Sequence, residues 1–243
     1  MMRTLKVLSA LLSYPDDALK EGAPTLREAI VEEALLPAHA QERVLELIGQ
    51  MEARDLYDLQ ERYILLFDRT RSLSLHLFEH LHGEGRDRGQ AMVDLMALYQ
   101  RHGLEISAKE LPDYLPLFLE FLSILPLEEA RETLSQPLHV IAALGERLRK
   151  RESPYAGVFA ALQDLATGTP DDADLKALMD EPEDDPNDLV ALDARWEAEA
   201  VTFGPTAPDP AGGCPRVSDI LKQMRADPTP PDSLAGDAPP GTN

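Results

Sequence analysis

The sequence predicts an all-α protein, a single helical bundle of roughly eight helices followed by a flexible acidic C-terminal tail. Three observations predict it. Up to about Gly168 the apolar residues recur at three- and four-residue spacing, with no convincing strand-like alternation and no internal repeat. Aromatic residues make up only 5% of the chain while Leu, Ala and Glu abound, a mixture that favours helices over sheets. Charge then changes abruptly: residues 171–243 hold 5 Lys+Arg against 17 Asp+Glu, whereas the first 170 residues hold 18 against 27. The chain therefore divides into a helical domain over 1–168, an acidic linker over 169–204 and a tail over 205–243.

Leu5, Leu8 and Leu12 form a first stripe that ends before Pro15. Arg3 and Lys6 precede it, but Ser9 and Ser13 interrupt it and Asp16 and Asp17 follow, so it reads as an amphipathic helix rather than a signal peptide. Leu26, Ile30 and Leu35 predict a second helix after Pro24, and Val44, Leu47, Ile48 and Met51 a third. Leu56, Leu59, Tyr63, Leu66 and Phe67 form the clearest stripe. Met92, Leu95, Met96 and Tyr99 make another face, which Gly103 terminates. Tyr114 to Leu125 is apolar almost all round, the pattern of a helix covered on most sides, with Asp113 as its N-cap and Pro116 in its first turn. Leu138, Ile141, Ala142, Gly145 and Leu148 follow Pro137, and Ser153-Pro154 opens a helix carrying Tyr155, Val158, Phe159, Leu162 and Leu165. Beyond Thr169 the acidic patches are broken by an amphipathic island of Leu189, Leu192 and Trp196, and a turn or two of helix fits Val217 to Met224.

Composition also excludes functions. A net charge of -21 argues against nucleic acid and favours a basic protein or peptide as partner. The single cysteine, Cys214, forms no internal disulfide and no thiolate metal site, which suits a reducing compartment. No run approaches the roughly 18 apolar residues of a membrane span, so a cytoplasmic chain without direct membrane insertion is expected.

The densest chemistry lies in Phe67 to Asp94, with His76, His80 and His82 beside Glu79, Arg86, Asp87, Arg88 and Asp94. Two imidazoles four residues apart on one helix can share a metal, and His76-x-x-Glu79-His80 has the inverted zincin order, with Glu79 as a general base. This is the alternative of a metal-dependent hydrolase. The other reading has these histidines hydrogen-bonding nearby acids or backbone. No Ser-His-Asp or Cys-His arrangement is present, and Gly83, Gly85 and Gly89 lack a phosphate loop's context. No catalytic residue, metal or cofactor is therefore assigned. Arg69, Arg71, Arg86 and Arg88 alternate with Asp68 and Asp87. They are either paired surface charges or the polar rim of an apolar groove of Leu75, Leu77, Phe78 and Leu81 that would accept a helix. Glu110 to Pro116 forms a rigid entry to the central helix, whose Glu120 is a solvent-facing or a partly buried acid.

These residues carry a family resemblance. It runs from Leu11 to Pro15 through Leu66-Phe67-Asp68, Ser74-Leu75-His76-Leu77-Phe78-Glu79-His80 and His82-Gly83. It continues in Arg86-Asp87-Arg88-Gly89-Gln90-Ala91-Met92, Tyr99 and Glu110 to Glu120, and returns at Trp196-Glu197 and Val201-Thr202-Phe203-Gly204. The sequence resembles the NarJ-type nitrate reductase molybdenum cofactor assembly chaperones, in the family of redox-enzyme maturation proteins related to the TorD and DmsD chaperones. The resemblance implies an all-helical, non-catalytic chaperone. Its partner would be the apo catalytic (alpha) subunit of a membrane-bound respiratory nitrate reductase, held transiently by its N-terminal segment while molybdenum cofactor and an iron-sulfur cluster are inserted. Partner-binding residues are then expected at Phe67, Asp68, Arg71, Leu75, His76, Phe78, Glu79, His80, His82, Arg86, Asp87, Arg88, Gln90, Asp113, Tyr114 and Glu120. The acidic charge fits a basic leader, since opposite potentials speed encounter.

Overall fold

The computed structural model describes residues 1–81, 86–104, 106 and 110–181, with the backbone alone for 86 and 87. Among these residues the chain forms helices and no strand longer than one bridge. The helices run α1 (Arg3–Leu11), α2 (Asp17–Glu33), α3 (Ala38–Ala53), α4 (Leu56–Tyr63), α5 (Leu77–Leu81), α6 (Arg86–Arg101), α7 (Leu115–Ile124), α8 (Leu127–Ser135), α9 (Leu138–Lys150), α10 (Ala156–Leu165) and α11 (Asp172–Asp180). A π-helical turn, Ile64–Asp68, and a 3-10 turn, Arg71–Leu73, separate α4 from α5. His82, the island at Leu189, Leu192 and Trp196, Cys214, the turn at Val217 to Met224 and the tail all lie outside the described residues.

The apolar stripes become one core. α7 packs on α1 and α8, as expected of a helix apolar almost all round, and buries Leu115, Phe118, Leu119, Phe121 and Leu122. Ser9 Oγ donates to the Pro116 carbonyl at 2.7 Å and fixes α1 to the start of α7. α10 fills the space between α9 and α3, and α2 covers α1 and α3. Gly103 ends α6 in the left-handed region, φ 76°, which a glycine adopts without steric penalty. No helix among the described residues is long and apolar enough to cross a membrane.

Four boundaries differ from the sequence reading. Pro24 lies inside α2, whose true start is capped by Asp16 accepting from Leu19 N–H at 2.7 Å. The stripe from Leu56 to Phe67 is not one α-helix: it passes into the π turn after Tyr63, which preserves the inward direction of Leu59, Tyr63 and Phe67. Ser153-Pro154 forms a turn before α10 rather than its cap and first position. Within the acidic stretch, Asp171 accepts from Ala173 N–H and Asp174 N–H and starts α11, which packs on α9 through Leu178.

Gly157 permits the closest approach of α10 to α3. A Cβ there would meet Arg43 Cβ at 2.8 Å and the Arg43 backbone at 3.2 Å. Gly157→Ala is expected to lower stability by about 1–3 kcal/mol through overpacking. Urea denaturation checks this, and an unchanged midpoint would mean that the helices part without loss.

Candidate functional site

The connection from α4 to α7 builds the site. Arg69 N–H donates to the Ile64 carbonyl at 2.9 Å, a five-residue step that admits one extra residue and marks a π turn. Phe67 is thereby directed inward and Asp68 outward. Thr70 Oγ1 closes the turn on the Leu65 carbonyl at 2.9 Å. After the 3-10 turn the chain is extended, and His76 pairs with Tyr114 in an antiparallel bridge. Leu115 N–H donates to the Leu75 carbonyl at 2.8 Å, and Leu77 N–H to the Asp113 carbonyl at 3.1 Å.

Asp113, fully buried, is the hub of this junction. Its Oδ1 accepts from His76 Nδ1 at 3.3 Å and its Oδ2 from Phe78 N–H at 3.1 Å. The predicted N-cap role on α7 is therefore corrected: the side chain serves the start of α5, and α7 begins without a side-chain cap. The hydrogen bond to Asp113 raises the His76 pKa against the opposing effect of burial. His80 behaves oppositely. Burial lowers its pKa, and its Nε2–H donates to the Ser74 carbonyl at 2.9 Å. Because His76 precedes α5, the two imidazoles do not share a helical face, and each has its own partner. This removes the geometric premise of the hydrolase alternative.

Next to Asp113 lies a cleft of about 300 Å³, lined by Tyr14, Tyr63, Phe67, Asp68, Ser74, Leu75, His76 and Tyr114. Its floor is aromatic. Tyr14 meets Tyr63 edge-on at 5.6 Å, Tyr63 meets Phe67 at 4.9 Å, and His76 lies 5.3 Å from Tyr114. Tyr63 O–H donates to the Leu12 carbonyl at 2.9 Å, so the 3.1 Å contact between phenols has Tyr114 donating to Tyr63. Burial raises the pKa of both phenols. Asp68 stands on the rim, where desolvation raises its carboxyl pKa. Tyr14 also borders a second depression of about 410 Å³, with Tyr57, Asp58, Gln60, Glu61, Ile64, Leu65 and Arg69. Tyr57 is 79% exposed and Tyr14 47%, so two aromatic faces meet solvent amid carboxylates.

Five of the sequence-predicted residues, Phe67, Asp68, Leu75, His76 and Tyr114, line the first cleft, and Asp113 holds His76 among them. The predicted apolar groove is corrected in part, because Leu75 and Leu77 are core residues while Phe78 and Leu81 are partly buried against that core. Glu79 pairs with Arg88 at 3.5 Å and ties α5 to α6. Gln90, exposed, donates to Asp94 at 2.9 Å. Arg71 is exposed in the 3-10 turn. Glu120 is the solvent-facing acid of the two readings, paired with Lys6 at 3.6 Å rather than partly buried. The side chains of Arg86 and Asp87 lie outside the described residues. Tyr14, Tyr57 and Tyr63 border these depressions and have no binding role in the sequence reading.

The fold and this site define a helical protein whose connection between α4 and α7 frames an aromatic cleft. A family model described as the nitrate reductase delta subunit matches residues 15–161. The chain is 45% identical over 203 residues to the nitrate reductase molybdenum cofactor assembly chaperone NarJ of Escherichia coli (strain K12), covering 83% of this chain and 85% of that protein. It is 42% identical over 203 residues to NarW of the same strain, covering 83% and 84%. It is 32% identical over 159 residues to NarJ of Bacillus subtilis (strain 168), covering 65% and 85%. The chain belongs to the nitrate reductase delta subunit family.

Proposed function

We propose that this protein is a cytoplasmic, non-catalytic assembly chaperone for a nitrate reductase, and that it holds the N-terminal segment of the apo catalytic subunit while molybdenum cofactor and an iron-sulfur cluster are inserted. The names of its relatives support the chaperone role. The observation that carries the binding reading is the pair of depressions joined at Tyr14, with aromatic surfaces flanked by Asp58, Glu61 and Asp68. An amphipathic segment with basic residues suits such a surface: its apolar side meets tyrosine faces and its cations meet carboxylates. The Ser74-to-Gln90 segment contributes through His76 at the cleft wall and Glu79 beside it.

Calorimetry with the client's N-terminal peptide tests this. Tyr14→Ala is expected to weaken binding by about 1–3 kcal/mol, the usual effect of removing an aromatic anchor. Phe78→Ala acts less directly, because Phe78 packs on the core. Asp68→Asn and Glu79→Gln are expected to slow association and flatten its salt dependence, with little change in dissociation. Full affinity in both Tyr14→Ala and Tyr57→Ala would move the client site away from this face.

A further inference from the structure

α6 is fastened at its ends and open along its middle. In its first turn Arg88 pairs with Glu79 of α5 at 3.5 Å. In its last turn Tyr99 O–H donates to the Pro112 carbonyl at 2.7 Å, and His102 just beyond meets the Phe121 ring edge-on at 5.4 Å. Of the side chains described in α6, Tyr99 alone is buried. Met92, Leu95 and Leu98 are half-buried, while Val93 is 58% and Met96 41% exposed. Gly89, Met92, Val93 and Met96 follow i, i+3, i+4, i+7 spacing and form one stripe, and the space over Gly89 is open. A helix of this length is marginal by itself and draws its stability from packing, so an uncovered apolar stripe points to a partner.

The last described residues lie beside the start of this helix. Arg147 ties the Leu178 carbonyl of α11 and the Ser72 carbonyl ahead of α5 to one guanidinium. Glu181 is close enough to His80 of α5 for its charge to act on the imidazole. Residues 182–243 therefore leave α11 next to α5, which leads into α6. The first apolar stripe among them is Leu189, Leu192 and Trp196, at i, i+3, i+7. Leu189 is eight residues past Glu181, a reach of about 26 Å when extended. Met96 is eight residues past Arg88, about 12 Å along the helix axis.

We propose that residues 186–198 pack as an amphipathic helix on α6, with Leu189, Leu192 and Trp196 against Met92, Val93 and Met96. The stripes from Gly89 to Met96 and from Leu189 to Trp196 match in length, each about 10 Å along a helix axis. Methionine side chains adapt to an indole ring and make favourable sulfur–aromatic contacts with it. Charge agrees with the pairing: Arg88 and Arg101 stand at the two ends of α6, and Asp188, Asp193 and Glu197 flank the island. Asp94, the acid among the described side chains of α6, accepts from Gln90. Packed there, the segment covers the open side of α6 and steadies the α5–α6 pair that carries Glu79 and His80.

Trp196 is the only tryptophan of the chain, so its fluorescence reports this contact alone. In the full chain its emission is expected at shorter wavelength than in urea. Acrylamide should quench it about half as strongly or less, since a docked indole is shielded from solvent. Val93→Asp and Met96→Asp each place a carboxylate under the segment without touching the core, and should raise quenching towards the unfolded value. Val31→Asp, a comparably exposed change on α2, should leave it unchanged. Leu192→Asp should in turn speed amide hydrogen exchange along α6 in the full chain. Quenching of the unaltered protein equal to that in urea overturns the proposal, as does a shielded Trp196 that is indifferent to both α6 variants. Shielding that is lost on dilution, with light scattering showing a dimer passing to monomer, would assign the face to a second copy and overturn it too.

Discussion

Arg147→Ala is expected to remove about 3–5 kcal/mol of folding stability, a large fraction of what a domain of this size possesses. Arg147 is only 1% exposed, at the centre of the molecule. Its Nη1 donates to the Ser72 carbonyl at 2.7 Å and its Nη2 to the Leu178 carbonyl at 2.5 Å. One side chain of α9 therefore holds the 3-10 turn that leads into the aromatic cleft and the end of α11. Truncation leaves two carbonyls without their charge-assisted donors and opens a cavity among Leu144, Leu148 and their neighbours. Arg147→Met, which restores most of the volume, should recover only part of the loss, because the carbonyls remain unpaired. Urea denaturation of the three proteins measures this. A deficit below about 1 kcal/mol in Arg147→Ala would mean that removing the buried charge offsets the lost hydrogen bonds, as some buried ions permit.

The same residue shows where sequence reading ends. The face Leu138, Ile141, Ala142, Gly145 and Leu148 was legible in α9, but a long basic side chain reads as exposed. Yet Val140, Ala143, Leu144 and Arg147 follow helical spacing, and all four are buried. An arginine in register with an apolar face was the available signal. α11 was obscured differently: Asp172, Asp174 and Asp180 interrupt its apolar residues, and only the cap at Asp171 with Leu175, Leu178 and Met179 betrays a helix. The central position of α7 was plain because nearly every residue in it is apolar.

The site was legible as a region and not as a geometry. Two histidines four residues apart imply one helix face only if the helix includes both, and the spacing cannot reveal that α5 begins after His76. Leu73, Leu75 and Leu77, all buried, repeat every second residue and signal the extended stretch that ends at the bridge to Tyr114. The π turn leaves no such trace, since its extra residue keeps Phe67 in line with Leu59 and Tyr63. Tyr57 and Tyr14 acquire their meaning only when the π turn and the end of α1 bring them to one depression.

Asp113→Asn is expected to lower stability by about 2–4 kcal/mol and to weaken client-peptide binding more than tenfold, because one buried carboxylate organises both walls of the cleft. It receives the imidazole of His76 on one oxygen and the Phe78 N–H on the other, and its own carbonyl accepts from Leu77. The amide keeps the shape but offers only one acceptor oxygen, so one of the two donors loses its partner. The loss also has a sign in pH. The His76 pKa is raised in the folded state, chiefly by the hydrogen bond to Asp113, with Glu79 adding to the rise and Arg88 opposing it. Stability from this pair is fully present below the unfolded histidine value of about 6.5 and is lost as pH rises through the raised folded value. His80 acts in the opposite direction, since burial lowers its pKa and its protonation costs stability as pH falls below about 6.5. That contribution is common to both proteins and cancels in their difference. The stability gap between the unaltered protein and Asp113→Asn should therefore be wider near pH 6 than near pH 8.5, as about two points on either side of the transition. His76→Gln should abolish that narrowing while leaving the part of the gap that belongs to the Phe78 N–H. A gap that is constant or widens with rising pH would show that Asp113 acts on the cleft through the start of α5 alone.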